Sequence, residues 1–358
     1  MRRHLIYLNH AAVAPPCRAA AEAMQWLAQD AMEFGSLHYA QWLETYEGLR
    51  QAAARLIGAD RGEIALMKNT SEGIATVASG IAWRAGDKIV AFREEFPSNY
   101  YPWKRLEETG LHVEWLSCLD PLDRVDEACR GARLLAISFV QYLGGHRVDL
   151  DAIGEICHRH GAIFLVDAIQ GLGAFPVDVR KARIGALAAD GHKWLLGPEG
   201  CAILFVSQEL QDSIQPMEFG WTNVAGFADY ASRDMRLRSD AGRYECGTMN
   251  TIGCYGLRAS IEFLLDVGGE LIGPAVQHLG DLVAAGVQGK GYEVLSQRTP
   301  ASGAGIVSFR KAGLEAGAIV HRLKAAGITA APRQGWVRVS PHFYISPDDI
   351  GKMLEALP

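Results

Sequence analysis

The stretch from Gly161 to Val206, GAIFLVDAIQGLGAFPVDVRKARIGALAADGHKWLLGPEGCAILFV, constrains the fold more than any other. Ala162 to Val166 is a short apolar run of the kind a buried parallel strand needs, and it ends on an acid, Asp167. Open α/β sheets place their ligands at the carboxyl ends of such strands. Further on come Asp190-Gly191-His192-Lys193-Trp194, the turn-forming Leu196-Gly197-Pro198-Glu199-Gly200, and a second apolar run from Cys201 to Val206. A lysine enclosed between a turn and two apolar strands is not ordinary surface charge.

Desolvation disfavours an ammonium, so a lysine in an apolar pocket has its pKa pushed below the usual value of about 10.4. The free amine then condenses with an aldehyde. A carboxylate at a neighbouring strand end can keep a pyridine nitrogen protonated and so make the ring an electron sink. These are the two protein groups that pyridoxal phosphate needs most. By spacing alone, an Asp that caps a turn and a solvated loop lysine remain open as well.

The run VDAIQ…DGHKWLLGPEG resembles the cofactor segment of class V pyridoxal-phosphate enzymes, the fold-type I group that includes cysteine desulfurases, selenocysteine lyase, kynureninase and isopenicillin N epimerase. Similar segments recur from Tyr7 to Tyr344. The resemblance implies an α/β fold-type I transferase with a large, mostly parallel, seven-stranded sheet domain over 15–250. A smaller α+β domain would comprise 1–14 and 251–358. It also implies that Lys193 holds the cofactor as a Schiff base, that Asp167 pairs with the pyridinium nitrogen, that Gln170 bonds the ring hydroxyl, and that His192 lies near the phosphate or the lysine. Asp190 is a departure, since several relatives carry a phosphate-binding Ser or Thr there. A carboxylate cannot face a dianion without a compensating donor, so Asp190 is not assigned to the phosphate.

Composition supports this size of fold and narrows the partners. The chain has 358 residues, 49% of them hydrophobic, and a net charge of −6, which gives no basic excess for nucleic acid. Its seven cysteines form no C-x-x-C pair and read as thiols of a reducing cytoplasm. Asn9 and His10 interrupt the apolar start too early for a secretory signal, and no run approaches the roughly 18 residues that span a bilayer. Gly171-Leu172-Gly173 fails as a dinucleotide fingerprint because Pro176 stands where the third glycine belongs. Gly289-Lys290 fails as a phosphate loop because Ala284 and Gly291 replace the required residues. His158 and His160 are read as surface residues, and no metal site is expected.

The remaining candidates are spread along the chain. After the strand Ile64 to Met67, Asn69-Thr70-Ser71-Glu72-Gly73 opens a helix whose positive end suits an anion, although Asn69 with Glu72 is also a plain capping box. The family motif at this point implies Thr70 and Ser71 as phosphate ligands. Phe96 follows the strand Lys88 to Phe92, where relatives set a ring, commonly His, over the cofactor; a phenyl ring stacks there but exchanges no proton. Gln141, after the strand Arg133 to Val140, stands where relatives have an Asn that touches cofactor or substrate. Thr248, within Arg243 to Asn250, matches a motif whose Thr reaches the partner subunit's phosphate, which implies a homodimer with shared sites. Arg338 matches the family's substrate arginine, and its planar guanidinium suits an α-carboxylate. Arg333 is a second such group, and His38 is a further substrate contact by position. Asn9 and His10 read as a turn.

Cysteine desulfurases take sulfur onto a loop cysteine before the substrate arginine, whereas this chain has no cysteine after Cys254. The reading is therefore an enzyme acting on a small amino acid, aminotransferase-like in first place. A C–S or C–Se lyase or an epimerase is the alternative within the cofactor class. A non-catalytic binding protein on the same fold is the alternative outside it.

Overall fold

The computed structural model describes residues 5–295 and 298–358. Its first part runs β1 (Ile6–Tyr7), α1 (Arg18–Phe34), α2 (Tyr39–Ile57), β2 (Ile64–Met67), α3 (Thr70–Gly80), β3 (Lys88–Phe92), α4 (Tyr101–Glu108) and β4 (His112–Leu116). Then follow α5 (Leu122–Cys129), β5 (Ala132–Ser138), α6 (Leu150–His160), β6 (Ile163–Asp167), β7 (Ala186–Asp190), β8 (Ala202–Val206), α7 (Thr251–Val267) and α8 (Gly269–Gly289). The chain ends with β9 (Glu293–Val294), β10 (Val307–Arg310), α9 (Ala316–Ala325), β11 (Ile328–Thr329), β12 (Ala331–Arg333), β13 (Trp336–Val339) and α10 (Pro347–Ala356). Among the described residues, no helix is long and apolar enough to cross a membrane.

Seven strands form one sheet in the order β2-β8-β7-β6-β5-β3-β4. β8 runs antiparallel to both its neighbours, and the remaining pairs are parallel. This is the mostly parallel α/β sheet expected from the sequence. Strands such as ALAAD and AILFV are buried along their whole length, as a sheet covered on both faces requires. Register aligns Ser138 with Asp167, and Asp167 with Ala188, so the carboxyl ends of β5, β6 and β7 form one ledge.

A second core gathers Leu279, Val283, Val307, Phe309, Val337, Val339 and Met353 around the four-stranded sheet β12-β13-β10-β9. Leu8 belongs to this core, because β1 pairs in parallel with β11. α7, grouped by sequence with the smaller unit, instead gives Cys254, Leu257, Ile261 and Leu264 to the larger core.

The segment after β1 is a turn, as the sequence suggests, but His10 within it is fully buried. Its Nδ1 lies 2.8 Å from the Ser340 carbonyl oxygen and its Nε2 2.5 Å from the Tyr344 hydroxyl. His342, also fully buried, sets its Nε2 3.1 Å from the Trp194 carbonyl oxygen. Burial holds His10 at about 4 and His342 at about 3; for His342 the nearby His10 adds to the effect. Unfolded histidines take up protons near 6.5, so below that pH the unfolded chain is protonated and the native chain is not. The stability linked to these two histidines is therefore level above about pH 6.5 and falls as pH drops towards 4. Urea midpoints measured across this window should fall less steeply in His10→Gln/His342→Gln than in the wild type. Parallel pH profiles would show that other groups carry the acid sensitivity.

Candidate active site

β6 delivers Asp167 to the ledge, where it is 2% exposed and accepts a hydrogen bond from the Ile169 N–H at 3.1 Å. β7 ends on Asp190, and the chain then makes a turn closed from several sides. Gly191 N–H donates to the Cys201 carbonyl at 2.9 Å and Gly197 N–H to the Gly191 carbonyl at 2.8 Å. Leu196, at φ 56°, donates its N–H to the Lys193 carbonyl at 3.1 Å. The N-terminal segment completes the closure: Ala14 N–H donates to the His192 carbonyl at 2.7 Å, and Cys17 N–H to the Leu196 carbonyl at 2.9 Å. Lys193 is left 9% exposed, with Nζ 5.6 Å from the centroid of the Phe96 ring.

Burial pushes the Lys193 ammonium down to about 8, against the opposing pull of Asp167; the Arg338 charge adds to the depression. Burial pushes the Asp167 carboxyl up to about 6, restrained by the Ile169 N–H and by Lys193. Each charge thus keeps the other ionised where desolvation would neutralise it.

One cavity of about 380 Å³ brings together Thr70, Ser71, Phe96, Asp167, Gln170, His192, Lys193, Arg333 and Arg338. Gln170 is pinned in the wall: its Oε1 accepts from Trp194 Nε1 at 3.0 Å and its Nε2 donates to the Ala11 carbonyl at 3.0 Å. One amide hydrogen remains for a ligand. Arg338 is 3% exposed and donates from Nη1 to the Tyr142 carbonyl at 2.7 Å. Burial lowers its pKa to about 10, with Arg333 contributing.

Three expected residues lie elsewhere. The Gln141 amide donates to Glu95 Oε1 at 3.2 Å and faces a neighbouring cavity. Glu95 draws it there because that buried carboxyl also accepts the Ser138 N–H at 2.7 Å and the Ser138 hydroxyl. Thr248 is exposed on a separate cavity with Lys68, Glu72 and Gly247. His38 sits before α2 with Nδ1 2.7 Å from Asp30 Oδ1, away from Lys193's cavity. Sequence reasoning missed Glu95 and Tyr142. Glu95 follows another glutamate and carries no local sign of burial.

The residues present fit pyridoxal phosphate. Thr70 Oγ1 and Arg338 Nε are buried without a hydrogen-bond partner. An unpaired buried polar group costs about 1–3 kcal/mol, so such atoms mark places where a ligand is received. α3 starts at the same cavity, capped by Asn69, whose side chain accepts from the Glu72 N–H at 2.9 Å. A Cβ on Gly73 would lie 2.9 Å from that of Ala188, and only glycine lets the positive end of α3 come so close to β7. The Ser71 and Ser98 hydroxyl oxygens are 2.7 Å apart beside it. Asp190 Oδ1 is 3.0 Å from His192 Nδ1, though neither finds an aligned hydrogen bond. The carboxylate at 190 therefore lies beside an imidazole.

In the cofactor-free protein, Asp167→Asn removes the charge that sustains the Lys193 ammonium. The apparent pKa of Lys193, read from the pH dependence of its reductive methylation by mass spectrometry, should drop below about 8. An unchanged value would mean that the two groups do not interact.

The aminotransferase class-V family matches residues 6–341. A probable cysteine desulfurase of Pyrococcus abyssi is 32% identical over 320 residues, covering 86% of this chain and 79% of that one. Another, from Methanothermobacter thermautotrophicus, is 36% identical over 227 residues; the match covers 61% of this chain and 55% of that relative's length. The apo structure of the cysteine desulfurase from Thermococcus onnurineus NA1 superposes with a TM-score of 0.90 at 28% identity, covering 98% of this chain and 93% of the other. A mutant of a cystine C–S lyase, solved with glycine covalently linked to the PLP cofactor, gives 0.91 at 22% identity, covering 99% and 96%. At that identity the likeness is one of fold. The match over 6–341 shows that the chain belongs to the class-V aminotransferase family of pyridoxal-phosphate-dependent enzymes.

Proposed function

We propose that the protein transfers the amino group of an α-amino acid to a keto acid, with Lys193 as the proton carrier and Arg338 as the carboxylate anchor. The observation that carries this reading is that Lys193 and the unpartnered Nε of Arg338 belong to one cavity. When bound, pyridoxal phosphate supplies an aldehyde and an electron sink that acidifies the α-C–H bond. Arg338 receives the α-carboxylate, which orients the α-hydrogen. Lys193 Nζ takes that proton, and a pKa of about 8 lets it release and regain protons near neutrality. Asp167 keeps a negative charge beneath the site, and Gln170 steadies the wall next to it. Phe96 faces Nζ with a ring that holds no proton, so proton movement rests on Lys193. Amino transfer needs only one such carrier.

A C–S or C–Se lyase is the second reading, supported by the relatives named as cysteine desulfurases. None of the described residues lining the Lys193 cavity is a cysteine, whereas Cys118 lines the neighbouring cavity, so a lyase here releases sulfide directly unless the sulfur reaches that thiol. The exposed Thr248, apart from its own chain's cavity, supports a homodimer in which it serves the partner's phosphate. Seven free cysteines support a cytoplasmic setting.

Absorbance of the protein with pyridoxal phosphate, beside Lys193→Ala, provides the test. A visible band lost in the variant, and converted by one amino acid to that of the aminated cofactor, supports amino transfer. Sulfide release with a restored band favours the lyase, and no band in either protein leaves a binding function on this fold. For the turned-over amino acid, Arg338→Ala should raise KM by about 10- to 100-fold, the worth of a charge-assisted hydrogen bond. Equal KM values would remove Arg338 from the anchor role.

A further inference from the structure

Beside the Lys193 cavity lies a larger one of about 550 Å³ that the chemistry above leaves unused. Tyr142 lines both. Its ring meets Phe96 edge-on at 5.3 Å, and its hydroxyl accepts from Gln334 Nε2 at 2.7 Å. The boundary between the cavities is thus a pair of rings, one of them facing Lys193 Nζ. Across the cleft, β12 and β13 are joined only by Gln334 and Gly335, at φ 48° and 82°. Two positive φ values make the shortest kind of hairpin turn. So short a turn does not fill the cleft, and the space between Gln334 and Tyr100 stays open.

Two buried polar groups of this second cavity, Glu95 and Gln141, are satisfied by partners within the protein. Glu95 accepts from Ser138 and from the Gln141 amide, so neither Glu95 nor Gln141 calls for a charged guest. The rest of the wall sets Pro97, Leu119 and Leu143 beside Arg93, Glu94 and His146, with apolar surface predominating, which suits a guest that is apolar along most of its length. The 380 Å³ around Lys193 must already take the cofactor and the α-carbon with its carboxylate. We infer that the second cavity receives the substrate's side chain, and that the substrate is an α-amino acid with a long, largely apolar side chain. This departs from the small substrate expected from the sequence, and it rests on the amino-acid-converting reading above.

The test follows conversion of the cofactor-loaded enzyme by alanine, norvaline, norleucine and 2-aminooctanoate. In the wild type, kcat/KM should rise about fourfold per added methylene, the value of one buried CH₂. Leu143→Trp fills the cavity from its wall, and Leu119→Trp, at an exposed position, does so with less demand on folding. Either variant should flatten the dependence on chain length while leaving the alanine rate unchanged. A wild-type rate that is flat or falls with length overturns the inference. So does a length dependence that survives in both folded variants. No spectral change with any amino acid, despite a visible band, instead removes the amino-acid reading on which the inference rests.

Discussion

Everything in this molecule depends on holding an ammonium and a carboxylate at the edge of an apolar sheet. Taken singly, such buried ions cost several kcal/mol each, and the pKa directions of Lys193 and Asp167 both point towards neutrality. What retains the charges is their proximity, fixed by parallel register: β6 and β7 end side by side, one on Asp167 and the other just before the turn that carries Lys193. The glycines and the proline after Lys193 serve that placement. They let the backbone fold back under the lysine and bond to itself, so the side chain does not have to hold the turn.

The surroundings divide into two chambers that meet at Tyr142. In the first, the start of α3, Arg338 and Lys193 concentrate positive charge and donors around one carboxylate. In the second, the buried acid Glu95 is already enclosed by donors from β5 and its loop. Phe96 and Tyr142 lie between them, so the ring that replaces an imidazole both removes a proton carrier and supplies an apolar wall. A substrate head group and its side chain can be recognised by separate chemistries a few ångströms apart.

How much was legible in the sequence follows from the range of the interactions. Ile64–Met67, Lys88–Phe92 and the helix ended by Gly161 appear with the expected bounds, because apolar runs and caps act locally. Asp167 and Lys193 were readable for the same reason. β7 was not singled out, since ALAAD offers neither bulk nor β-branching and becomes a strand through its neighbours. α8 contains Pro274 and several glycines that argue against a helix; burial of Val276, Leu279, Val283 and Val287 along one face overrides that propensity. Gln141 was expected at the cofactor and turns away, because Glu95, distant in sequence, accepts its amide. His10 looked like a loop residue until Ser340 and Tyr344 were found around it.

That last contact sets an order of assembly. The segment from His10 to Cys17 bonds to Gln170, to the backbone around Lys193, and to Ser340 and Tyr344 just after β13. On a ribosome it is made long before its partners and waits, unpaired, until Ser340 and Tyr344 have emerged. Closing so long a loop is slow, and only when it closes does the Lys193 chamber gain the wall formed by Ala11 to Val13. The chamber is therefore complete only once Ser340 and Tyr344 have been made, and residues synthesised long before them close one of its sides.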